Sequence, residues 1–305
     1  MSDELMNTKE LARFLGIHEK QVYALTSAQR IPATRITGKW MFPKKLIEEW
    51  IEENAKAGLE QAKQKTKKMD RALLTSGSND LILDLLQTHM KRAYPEFHMF
   101  SSSVGSTEGL KVLDAGYTDI AWSHLFDPKS GEYNVPFLSE YTPHIKPIVV
   151  NLFYREMGFV VAPKNPLGFK DFHDLTRKDV RFMNRQKGSG TRTLLDYHLK
   201  DLSIPASGIK GYEKESYTHL EVGLSILSKE ADVGIATVAV ASLFRLAFIP
   251  IREERFDMIL DQSTFFERGV QAFIEVLRSN EFRKRVAKVG NYSFRDSGKI
   301  LHASK

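Results

Sequence analysis

Beyond Asp70 the chain repeats one unit: a short apolar run, a cluster of small polar residues, then a stretch with helical spacing. The segment "RALLTSGSNDLILDLLQTHM" reads as strand, Ser-rich turn and helix, "FHMFSSSVGSTEGLKVLDAG" repeats it, and "TDIAWSHLFD" is a strand ending at Ser123-His124. This alternation predicts an α/β sheet with helices on its faces. In such sheets ligands collect at the carboxyl ends of strands, where loops and helix amino-termini converge. Each of these loops offers unpaired backbone N–H groups, a positive dipole end and hydroxyl donors, and together they can trap an anion without a dedicated base.

The stretch "RFMNRQKGSGTRTLLDYHL", residues 181–199, uses the same device again. A strand leads into a turn flexible enough to bring amides to a ligand, a helix starts there, and Arg192 adds a forked charge. The pattern suits holding an anion rather than transforming it. No nucleophile–base pair, acid pair or metal-ligand set supports turnover, so no catalytic residue, metal or cofactor is expected.

With 305 residues and 42% apolar content the chain is long enough for two domains and a substantial core. No segment approaches the roughly 20 consecutive apolar residues of a membrane span. The start, "MSDELMNTKELARFL", lacks the basic and apolar regions of a signal peptide, so a cytoplasmic protein without membrane partners is expected. The absence of cysteine excludes disulfides and thiolate chemistry, and the nine histidines show no metal-binding spacing.

The net charge of +6 is concentrated at one end. Between Thr8 and Lys45 stand eight Lys or Arg against two Glu, which alone gives +6, so the remainder is near neutral. A compact basic end on a neutral body is the footprint of a chain that meets phosphates at that end only. There, Asn7 or Thr8 caps a helix carrying Leu11, Ala12, Phe14 and Leu15 at helical spacing, and Gly16 ends it. A second helix runs from about His18 to Ser27, with Val22, Tyr23 and Leu25 available for its buried side. Then "IPATRITGKWMF" alternates like a hairpin around Thr37-Gly38, and "KKLIEEWIEE" returns to helical spacing.

Helix, turn, helix and basic hairpin make a winged helix-turn-helix, whose second helix enters the major groove while the wing follows the backbone. The run "TKELARFLGI", the "VY" of the second helix, "RIPATR" and "GKWMF" ending in "LIEEW" resemble the excisionase-type and MerR-type DNA-binding module over about 45 residues. The resemblance implies groove readers at Glu19, Lys20, Gln21 and Tyr23, and wing contacts to phosphate at Arg30, Arg35, Lys39 and Trp40. Trp40 and Phe42 also suit packing within the small domain. A single module of this size touches only a few base pairs, which predicts a homodimer or higher homo-oligomer on double-stranded DNA. The domain expectations are a winged helix-turn-helix over 1–51, a helical linker rich in Glu, Lys, Gln and Ala over 52–70, and a ligand-binding domain over 71–305.

From about Arg71 to Asn291 five blocks in order resemble the periplasmic-binding-protein-like domain found with molybdopterin-biosynthesis proteins and one-component bacterial regulators. They are "DIAWSHLFDPKSGEYN", "VVNLFYREMGFVVAPKNP", "RFMNRQKGSGTRTLLD", "GYEKESYTHLEVGLSILSKEADVGIA" and "IPIREERFDMIL". Trp122 stands where the family has glycine, which would alter the pocket. The resemblance implies a two-lobed, type II domain, with crossing segments near 145–163 and 240–260 and a ligand between the lobes. Its first candidates for binding are Ser76, Ser78, Ser103, Ser123, His124, Ser189, Thr191 and Arg192; Arg155, Arg185, Tyr217 and Thr218 follow. Structural alternatives stand beside these: Ser76 and Ser78 as helix caps, His124 as a packing residue, Arg155 paired with Glu156 or an interlobe acid, and Arg185 facing water.

The expected function is a DNA-binding transcription regulator sensing a small anion, molybdate or tungstate foremost. A carboxylate or phosphorylated metabolite is the alternative ligand. A non-sensing, excisionase-like architectural protein is the alternative function.

Overall fold

The computed structural model describes residues 5–54 and 71–304. The chain forms two compact units, Met1–Asp70 and Arg71–Lys305. The linker expectation for 55–70 lies outside the described residues. Among the described residues, no helix is long and apolar enough to cross a membrane.

In the first unit, strand β1 (Leu5–Asn7) precedes helices α1 (Thr8–Leu15) and α2 (Glu19–Ser27). The hairpin of β2 (Thr34–Ile36) and β3 (Lys39–Pro43) follows, then a helix α3 that includes residues 44–54. The cap of α1 is Asn7: its Oδ1 accepts the Lys9 and Glu10 amides at 3.0 Å each, and the Glu10 carboxylate accepts the Asn7 amide at 2.8 Å. Gly16 closes the helix in the left-handed region, at φ 66°. Thr37 and Gly38 both have positive φ, as a two-residue hairpin turn with the right-handed strand twist requires.

Leu11, Ala12, Val22, Phe42 and Ile47 form the core of this unit. Tyr23, read from the sequence both as available to the buried side and as a groove reader, is exposed by 49%, and Phe14 is exposed by 43%. One turn beyond Val22 the buried position belongs to Thr26, whose hydroxyl donates to the Val22 carbonyl at 2.8 Å and so enters the core satisfied.

The main sheet of the second unit runs in the order β11 (Glu215–Ser216), β10 (Phe182–Arg185), β12 (Val233–Thr237), β9 (Pro147–Val161), β13 (Ala247–Asp261), β6 (Ile120–Ser123), β4 (Ala72–Gly77) and β5 (His98–Ser103). Its first lobe holds the parallel strands β4 (Ala72–Gly77), β5 (His98–Ser103) and β6 (Ile120–Ser123), each leading into a loop that faces the site. Helices α4 (Leu81–Ala93) and α5 (Ser106–Asp114) follow β4 and β5. A small hairpin, β7 (Phe126–Asp127) and β8 (Glu132–Tyr133), and helix α6 (Leu138–Tyr141) complete this part. The second lobe holds β10 (Phe182–Arg185), α7 (Gly190–Asp201), β11 (Glu215–Ser216), α8 (His219–Leu227), β12 (Val233–Thr237) and α9 (Val238–Phe244). Short helices α10 (Gln262–Phe265) and α12 (Asn280–Val286) flank α11 (Arg268–Arg278), which returns to the first lobe.

Two 15-residue strands join the lobes: β9 (Pro147–Val161) and β13 (Ala247–Asp261). They pair antiparallel from Asp261 opposite Pro147 to Ala247 opposite Val161, with register shifts at Pro250/Arg252 and Phe256/Asp257. β6 pairs with β13 at one end and β12 with β9 at the other, so each lobe is attached to a different half of the same ribbon. Separate cores fill the lobes, one around Trp122, Phe256 and Phe273 and another around Phe159, Phe182 and Leu195. The Trp122 ring stacks on Phe273 at 5.5 Å and is buried, so the residue standing in place of glycine packs into the core of the first lobe.

Replacing Asn7 by Ala removes the reciprocal cap of α1. A loss of about 1 kcal/mol is expected in denaturant unfolding followed by a probe placed in the first unit.

Candidate anion and DNA sites

The strand tips of the first lobe bring Ser76, Ser78, Ser103, Ser123 and His124 together, and they fall into distinct roles. Ser76 is buried and its Oγ has no hydrogen-bond partner among the described residues. Ser78 Oγ and Ser106 Oγ are 2.8 Å apart, and Ser106 Oγ accepts the His124 amide at 3.2 Å. Ser123 donates to Asn134 Oδ1 at 2.8 Å, an atom that also accepts the Leu125 amide, so this serine fastens the end of β6. Ser103 is half-buried at the end of β5.

Beneath these tips lies a buried charge network. Glu254 and Arg155 face each other across β13 and β9, and Glu254 Oε2 accepts from Arg155 Nε and Nη2 at 3.0 and 2.9 Å. Arg155 Nη1 donates to Asp80 at 2.6 Å, and Asp80 also takes the Tyr292 hydroxyl at 3.0 Å and caps α4. His124 Nδ1 lies 2.7 Å from Glu254 Oε1, which requires the proton on Nδ1, and its ring stacks on Phe256. Burial pushes the Glu254 carboxyl up, but His124 and Arg155 outweigh it and hold the pKa at about 2. Arg155 is therefore neutralised and structural. Its partner is an acid from the other crossing strand; Glu156, the other candidate, contacts Asn291 instead.

Arg185, at the end of β10, is also buried, yet among the described residues no carboxylate meets its guanidinium. Nε is shared between Gln186 Oε1 and the Ser216 carbonyl, Nη1 lies 3.0 Å from His219 Nδ1, and Nη2 donates to the Tyr217 carbonyl at 2.9 Å. Five N–H donors with three directions used leave one N–H on each terminal nitrogen. Burial and the charge of Arg155 pull the Arg185 pKa down to about 9. An anion placed against it would recover that lost stabilisation. His219 accepts from Arg185 through Nδ1, and burial and then Arg185 hold its pKa well below the ordinary imidazole value.

The neighbouring candidates of the second lobe sort by the same accounting. Ser189 caps α7 by accepting the Arg192 amide at 3.1 Å, and the buried Thr191 Oγ1 has no partner among the described residues. Arg192, expected to supply the forked charge, is committed elsewhere: Nε contacts Asp196 at 3.1 and 3.2 Å, the guanidinium lies over Tyr212, and Nη1 donates to the Arg185 carbonyl at 3.3 Å. Tyr217 exposes its side chain and gives its carbonyl to Arg185, while Thr218 caps α8. Sequence reasoning missed Ser106, Gln186, His219 and Glu254, three of which adjoin named loops; Glu254 had no local signal.

In the first unit, Glu19, Lys20 and Tyr23 are exposed along α2, and Gln21 accepts the His18 amide at 3.0 Å, so part of its side chain caps the helix. Arg30 and Lys39 are exposed. Arg35 lies over the Trp40 ring at 5.3 Å and donates to the Gly38 carbonyl, which stiffens the hairpin, and Trp40 packs half-buried against the core.

A family model described as a PBP superfamily domain matches residues 87–278, and one described as a helix-turn-helix domain matches residues 5–55. The Bacillus subtilis protein YvgK is 26% identical over 300 residues, 96% of either chain. A Clostridium perfringens structure described as a phosphate ABC-transporter substrate-binding protein with bound phosphate is 14% identical with a TM-score of 0.56, covering 73% of this chain and 99% of that one. The tungstate ABC transporter structure from Geobacter sulfurreducens is 17% identical with a TM-score of 0.50, covering 71% and 98%. At these identities the two structures show a shared fold.

Two expectations follow from the charges. Glu254→Ala leaves Arg155 with Asp80 as its only carboxylate and His124 Nδ1 without its acceptor, and denaturant titration should show a loss of about 3–5 kcal/mol. His124 and His219 both have pKa values lowered by burial, so on acidification the unfolded chain takes up protons first. Their contribution to stability is complete above about pH 6.5 and is lost as pH falls below it, so the melting temperature should decline steadily from pH 7 to pH 5.

Proposed function

As this chain belongs to the PBP superfamily and carries a helix-turn-helix domain ahead of that fold, we propose that it is a DNA-binding transcription regulator that senses a small anion between the two lobes of its second unit. The observation that carries the reading is Arg185, a buried guanidinium with no carboxylate partner among the described residues. Burying an uncompensated charge costs several kcal/mol, so a site that keeps one gains from an anionic ligand. Ser76 Oγ and Thr191 Oγ1, buried and without a partner among the described residues, supply further donors. Ser78, Ser103 and Ser189 border the same site, whereas Arg155 and Ser123 hold the scaffold.

The preferred ligand is a tetrahedral oxyanion of the molybdate or tungstate kind. The fold shared with phosphate-bound and tungstate-transporter structures is compatible with this class. DNA reading belongs to residues 1–51, with Lys20 and Tyr23 in the groove and Arg30, Arg35 and Lys39 on the phosphates. The protein acts in the cytoplasm as a homodimer or higher homo-oligomer, with 52–70 as the connection.

Molybdate, tungstate, sulfate, phosphate and small carboxylates, tested in turn by thermal shift, identify the ligand. At one hundred times its Kd a true ligand adds about 2.7 kcal/mol, a rise of roughly 5–10 °C in a domain of this size. Arg185→Gln should abolish the response; an unchanged response would remove Arg185 from the site. On the DNA side, Arg35→Ala and Lys39→Ala should each weaken binding to all sequences alike and lower the salt slope by about one. Unchanged affinity would overturn the wing assignment.

A further inference from the structure

We infer that Gly188 and Gly190 form the closure contact of the sensor, seating the second lobe on the first backbone to backbone and thereby limiting the ligand to a compact anion. This rests on the anion-sensing reading above. Gly190 is the first residue of α7, and a Cβ placed there would lie 2.5 Å from His124 Nδ1 and 3.0 Å from the His124 carbonyl oxygen. The ring cannot retreat, because Glu254 holds one edge and Phe256 stacks on its face. Only glycine lets the start of α7 settle on this residue of the first lobe.

Two residues earlier, the Gly188 carbonyl accepts the Thr107 amide at 3.1 Å. Thr107 lies in the first turn of α5, where an amide has no acceptor within its own helix. Gly188 reaches it with φ +82°, a backbone conformation natural to glycine. Gly105 faces the same loop, and a Cβ there would stand 3.3–3.4 Å from the Gly188 carbonyl, Gln186 Nε2 and the Ser189 amide. The loop that follows Arg185 thus touches the first lobe at both His124 and the start of α5. On this inference, a single oxyanion of a few atoms lies against Arg185 while these contacts persist. A sugar phosphate or citrate would hold the two surfaces apart by at least one further atomic layer, about 3.5–4 Å, and break them.

Residue-resolved hydrogen exchange on the full chain, with and without molybdate, reads the contact at the Thr107 amide. In at least one condition this amide should exchange as slowly as those at 109–113 inside α5. In Gly190→Ala it should exchange at least tenfold faster in that condition, while 109–113 keep their protection and so show that the helix is folded. In parallel, molybdate or sulfate should raise the melting temperature, and citrate and glucose 6-phosphate should not. Free exchange at Thr107 in the wild type under both conditions, or no change in Gly190→Ala, would overturn the closure contact. Stabilisation by citrate or glucose 6-phosphate alone would overturn the size limit. A protected Thr107 with no response to any of the four anions would uphold the closure contact and overturn the sensor reading.

Discussion

The pairing of Arg155 with Glu254 at the middle of the two crossing strands is the interaction on which the rest of the second unit depends. Both side chains are buried, and neither would be tolerated there alone. From this pair the network reaches Asp80 at the start of α4 and His124 at the end of β6, so it also orients two of the tips that make the site. Arg155 is matched by two carboxylates, whereas among the described residues Arg185 meets none. On the proposed reading, one arginine holds the scaffold and the other gains its counter-ion from the ligand.

Much of this architecture was legible in the sequence because it rests on local rules. The strand, Ser-rich turn and helix repeats appear as β4 to α4 and β5 to α5, and the crossing segments appear as β9 and β13. Asn7 and Gly16 cap α1 in the way their residue types require. Tyr23 was less legible, since three short helices in a small unit cannot bury every apolar residue and Thr26 can replace one by satisfying its own hydroxyl.

The roles within the site were harder to read. Arg185 and Arg192 flank the same glycine loop, and nothing in composition ranks them. The spacing of Arg192 and Asp196, four apart on a helix, was a readable sign that Arg192 had a partner. The absence of a carboxylate near Arg185 depends on β11 and α8, more than 30 residues away. Glu254 was invisible for the same reason, because its importance arises from register with Arg155, 99 residues distant.

An anion held between lobes becomes a signal only if closure changes how the first unit meets DNA. The direct measurement is the affinity for the DNA upstream of the protein's own gene at fixed ionic strength, with and without the anion that stabilises the fold, for the wild type and Arg185→Gln. The account predicts a change of about 5- to 150-fold in the wild type, the range of ordinary coupling energies, and none in the variant. Equal affinities in the wild type with and without an anion that demonstrably binds would contradict it.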